Sequence, residues 1–69
     1  MNKLDQQTIK NMTMGCWWSS KAYPKVHPRW DMIADELRGL AEGEAFRGDD
    51  NRTQETLRLA NLAKAEALK

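Results

Sequence analysis

The stretch Cys16-Trp17-Trp18-Ser19-Ser20-Lys21-Ala22-Tyr23-Pro24-Lys25-Val26-His27-Pro28-Arg29-Trp30 holds most of the residues that could do chemistry. It contains four of the chain's five aromatics, interleaved with Lys21, Lys25 and Arg29. Rings with a polar edge, next to Arg, are what dominates protein binding hot spots. The same mixture suits nucleic acid, where cations follow phosphates and rings stack on unpaired bases. The plain structural alternative is that Trp17, Trp18 and Trp30 form the core of a chain poor in aliphatic residues. Neighbours on an extended segment alternate faces, so one of Trp17 and Trp18 is expected inward and the other outward.

His27 lies downstream of three nucleophile types, Cys16, Ser19 and Ser20. Nucleophilic catalysis needs a base oriented by a third group and an oxyanion site in a formed pocket. No nucleophile elbow or comparable motif accompanies these residues, so the chain is expected not to be an enzyme. With one Cys and one His, a four-ligand zinc site is short of ligands. Neither a metal nor a cofactor is expected. One cysteine also excludes an intramolecular disulfide.

The acids Asp31, Asp35, Glu36, Glu42, Glu44, Asp49 and Asp50 could mimic nucleic-acid phosphates, but arginines interrupt the run. A solvated helix face is the ordinary reading, with Arg38 three residues from Asp35 and four from Glu42. Gly39 and Gly43, four apart, would permit close helix approach, a signal that carries weight mainly in membranes. The sequons Asn11-Met12-Thr13 and Asn51-Arg52-Thr53 are expected to be chance matches without a secretory signal.

These residues must be positioned by a 69-residue chain, near the lower limit for one self-sufficient core. Leu, Ile, Val and Phe together number only 11. Residues 1–69 are therefore expected to form a single small helical domain, too small to enclose a catalytic cleft. Net charge is +1, yet it is segregated: residues 1–30 carry +4, residues 31–55 carry −5 and residues 56–69 carry +2. No apolar run approaches the roughly 18 residues of a membrane span, and the polar start does not resemble a signal peptide. A cytoplasmic location is expected.

The expected fold class is all-α: three helices, with an aromatic, Pro-containing loop between the first and second. Asp5 is the expected N-cap of a helix over about 6–14, with Ile9 and Met12 on one face and Gly15 as its stop. The second helix starts at Pro28, a residue suited to a first turn. Trp30, Ile33, Ala34, Leu37, Leu40 and Ala41 then fall in one arc of roughly 120°. Glu44 would land in that arc and Phe46 opposite it, so the helix is expected to end or kink at Gly43. Gly48-Asp49-Asp50-Asn51 reads as a turn, with Asp50 or Asn51 capping a third helix from about Arg52. That helix is apolar on two sides, Leu59 with Leu62 and Leu57 with Leu68, so it is either sandwiched or meets a partner.

The expected function is a small interaction module that inhibits, adapts or assembles a larger protein. Short chains of this make-up are associated with phage and mobile-element accessory proteins. Trp18, Tyr23, Lys25 and Arg29 are expected at the interface, with Trp17 taking Trp18's place if the faces are reversed. Leu59 and Leu62 are expected under a partner or in a homodimer. Nucleic-acid binding through residues 17–30 is the alternative, disfavoured by the near-zero net charge.

Overall fold

A computed structural model gives the structure, which describes residues 1–18 and 28–69. The protein is all-α, with three helices and no strand among the described residues. The elements are α1 (Lys3–Met12), a short 3-10 turn (Gly15–Trp17), α2 (Trp30–Phe46) and α3 (Asp50–Ala67).

Helix α1 starts earlier than its sequence pattern suggests. Asn2 is the cap, its side-chain oxygen accepting from the Asp5 amide at 2.7 Å. Asn caps as well as Asp, and this choice leaves Asp5 in the first turn, where a negative charge opposes the helix dipole. Asp5 also reaches α3, accepting a two-pronged hydrogen bond from Arg58 at 3.0 and 3.2 Å. The helix stops at Met12 rather than near Gly15, because Thr13 is extended and its hydroxyl donates to the Ile9 carbonyl at 2.8 Å. Ile9 is fully buried and Met12 packs beside it, as their shared face required.

Helix α2 buries the expected arc: Ile33, Ala34, Leu37 and Ala41 are inside and Trp30 is half-buried, while Leu40 is largely outside. Arg29 rather than Pro28 stands at its cap position. The helix does not end at Gly43. It runs to Phe46, with Glu44 buried and Phe46 94% exposed. Glu44 tolerates its place because Arg52, from the next helix, donates to one carboxylate oxygen at 3.1 Å. The stop comes at Gly48, whose φ of +79° is the left-handed conformation glycine adopts without strain. Its amide donates to the Ala45 carbonyl and the Asp49 amide to the Glu44 carbonyl, both at 3.0 Å, which is the Schellman closure.

Asp49, one residue earlier than expected, caps α3 by accepting from the Arg52 amide at 3.2 Å. Helices α2 and α3 therefore form an antiparallel hairpin, its seam filled by Ala34, Ala41, Ala60 and Ala63 beside Leu37 and Leu59. Helix α1 covers one side of that hairpin, and Ile9, Ile33, Leu37 and Leu59 are the large residues of the joint core. Arg38 forms no ion pair with Asp35 or Glu42, so the charged face of α2 is solvated rather than cross-linked there. Gly39 and Gly43 allow no close approach either: a Cβ at each would meet nothing within 4 Å.

Candidate functional site

The aromatic residues flanking the segment 19–27 are built into the fold. The Gly15–Trp17 turn is 3-10, not extended, so successive side chains do not alternate between two faces. Trp17 and Trp18 are consequently both half-buried against the core, and the expected split into one inward and one outward ring does not occur. Trp18 meets Trp30 edge to face, ring centres 5.2 Å apart, a favoured geometry for aromatic pairs. Its indole N–H donates to the Thr13 hydroxyl at 2.7 Å, and that hydroxyl in turn donates to the Ile9 carbonyl. Lys10 holds its ammonium 6.0 Å from the Trp18 ring centre, at the outer limit of a cation–π contact.

Glu36 of α2 gathers the other side. Its carboxylate accepts from the Met14 amide at 3.0 Å and from the Trp17 indole N–H at 3.4 Å. The Arg29 amide donates to the Trp17 carbonyl at 2.7 Å. Residues 17 and 18 on one side and 29 and 30 on the other are thus tied by a backbone hydrogen bond and a ring pair. The two ends of the segment carrying Tyr23 and Lys25 are clamped together. Tyr23, Lys25, Ser19, Ser20 and His27 themselves lie outside the described residues.

Arg29 is half-buried and its guanidinium spans both oxygens of Asp31, at 3.0 and 3.2 Å. That pairing holds the Asp31 carboxyl below the usual carboxylate range and raises Arg29 further. Of the two leucines expected under a partner, Leu59 is 1% exposed, enclosed by the chain's own helices, and Leu62 packs partly buried against the same core. The reason is α1: Ile9 supplies the cover that a partner was expected to give. Leu57 and Leu68, the second apolar side of α3, remain 37% and 80% exposed.

Cys16 is exposed on the 3-10 turn. Among the described residues no three His, Cys, Asp or Glu side chains gather as a metal site would require. None of the described helices is long and apolar enough to cross a membrane.

Sequence reasoning missed Glu36 and Thr13, which hold the two tryptophans. Glu36 lies 22 residues from Met14, and no local pattern announces such a pairing. Thr13 had a weak signal, since a threonine at a helix end readily turns its hydroxyl onto the backbone. Compared with protein-family models, curated proteins and solved structures, the chain matches none of them.

Proposed function

We propose that this chain is a non-catalytic interaction module, working in the cytoplasm, that docks on a larger protein through the segment 19–27 and inhibits, adapts or assembles it. The observation that carries this reading is the clamp at the base of the segment: the Trp17 carbonyl to Arg29 amide bond at 2.7 Å beside the Trp18–Trp30 pair. Binding segments are commonly held at their ends by a rigid scaffold while the residues between them meet the partner. Fixing the ends lowers the ordering cost on association, and Pro24 lowers it further. Tyr23 and Lys25 then supply the contact, with Trp17, Trp18 and Arg29 acting as its foundation rather than its surface.

The nucleic-acid alternative is weaker, because the cation at the clamp, Arg29, is already matched by Asp31 within the chain. The test is a double variant, Tyr23→Ala with Lys25→Ala, compared with the wild type for capture of a partner and then for direct binding by calorimetry. The reading expects unchanged melting and binding weakened at least tenfold. Retained affinity in the folded variant overturns it. A steep loss of affinity for duplex or single-stranded DNA with added salt, at affinities matching the protein partner's, would favour nucleic acid instead.

A further inference from the structure

Helix α1 is held to the hairpin differently from the way α2 and α3 hold each other. It buries one residue, Ile9, where α2 buries five and α3 four, and its Leu4 is 76% exposed. A groove of about 220 Å³ opens between α1 and α3, with Thr8 and Met12 on one wall and Arg52, Glu55 and Thr56 on the other. Toward the start of α1 the tie is Arg58. Its guanidinium bonds Glu55 of its own helix at 2.7 and 3.0 Å and Asp5 at 3.0 and 3.2 Å. Glu55 thus presets the fork that Asp5 meets, but Arg58 is exposed, so the tie is of the solvent-screened kind.

The far end of α1 reaches the clamp. The Ile9 carbonyl accepts from the Thr13 hydroxyl at 2.8 Å, and that hydroxyl accepts from the Trp18 indole N–H at 2.7 Å. The residue that pins α1 to the core therefore also begins the chain of bonds that fixes Trp18 beside Trp30.

We infer that α1 is a latch: it leaves the α2–α3 hairpin as a unit, with the hairpin still formed, and its leaving releases Trp18 and slackens the base of the segment 19–27. A helix of ten residues is marginal in water, so α1 is helical only while docked and opens whole. Opening gives up one fully buried side chain, part of Met12 and a screened ion pair. Unfolding the hairpin gives up its alanine seam as well, so the latch is the smaller opening. The coupling is reciprocal: whatever fixes Trp18 also holds α1 down. The regulatory sense of the latch rests on the segment being the docking element; the latch itself does not, and its test involves no partner.

Native-state hydrogen exchange of the whole chain, followed by NMR, tests it. The amides of Ile9 to Met12 should be protected at least about tenfold less than those of Leu37, Ala60 and Ala63. Urea below the unfolding transition should speed exchange at the seam steeply and at α1 only slightly, because undocking exposes little surface. Ala41 lies in the seam and outside the cluster that includes Ile9, so Ala41→Gly weakens the hairpin whether or not α1 is docked. It should speed the seam amides about fivefold and leave α1 at its wild-type rate. Arg58→Gln should speed the α1 amides and the Trp18 indole N–H several-fold, by one common factor. Thr13→Val cuts the chain of bonds, after which the indole N–H should exchange fast and ignore Arg58→Gln. Equal protection in all three helices, falling in parallel with urea, overturns the latch. An indole N–H that keeps its wild-type rate in Arg58→Gln while the α1 amides speed up overturns its coupling to the clamp.

Discussion

Replacing Trp18 by Ala tests the clamp most directly. Three losses can be read from the structure. The edge-to-face pair with Trp30 is of a kind worth about 1 kcal/mol beyond area burial. The indole N–H bond to Thr13, at 2.7 Å, contributes about another 1 kcal/mol. Full burial of a Trp would make truncation cost about 3–5 kcal/mol, and this ring is half-buried, so its packing is worth about 2 kcal/mol. These values overlap, which brings the expected cost to about 3 kcal/mol. A core of this size holds only about 3–5 kcal/mol in all, so the variant should keep about 0–2 kcal/mol, with its urea midpoint shifted close to zero denaturant. Urea unfolding followed by far-ultraviolet circular dichroism is the assay. Trp18→Phe keeps a ring and loses the N–H, and should therefore fall between the two. A double-mutant cycle with Thr13→Val isolates the hydrogen bond, with an expected coupling of about 1 kcal/mol. An Ala variant with the wild-type midpoint would refute the reasoning and return Trp18 to the surface.

Four further outcomes are expected. Leu37→Ala, at a fully buried site of the joint core, should lower stability by about 2–5 kcal/mol in the same urea titration. Gly39→Ala should raise the melting temperature, adding about 1 kcal/mol, because a Cβ there meets nothing and the helix interior favours Ala. Glu44→Leu should leave stability equal or up to about 3 kcal/mol higher, since an apolar group replaces a buried carboxylate, whereas Arg52→Ala, leaving Glu44 uncompensated, should lower the thermal midpoint. Arg58 holds the Asp5 and Glu55 carboxyls below their ordinary range, so the unfolded chain binds more protons near pH 4; the stability from these pairs is present above that range and lost as pH falls through it, and Arg58→Gln should flatten the acid limb of the melting profile.

The helices were legible where the apolar period was unbroken. The arc from Ile33 to Ala41 needed no tertiary information, because burying it satisfies one helix face at once. Ends were read less well, since Asn2, Asp5, Asp49 and Asp50 are all competent caps and only the register that buries Ile9 or Leu59 chooses among them. The end of α2 failed for a different reason. Glu44 and Phe46 do break the pattern, one inside and one outside, yet the helix continues because its cost is met from elsewhere. Arg52 supports the carboxylate across the turn, and water surrounds the ring. A broken period marks an exception in the burial pattern, not always a break in the backbone.

The aromatic stretch shows how local geometry can reassign a residue's part without changing its importance. On an extended chain Trp17 and Trp18 would have faced opposite ways, and one of them would have met the partner. A single 3-10 turn brings both to the core. Position in sequence still bears on the proposed site, because these rings tie together the two ends of the segment that carries Tyr23 and Lys25.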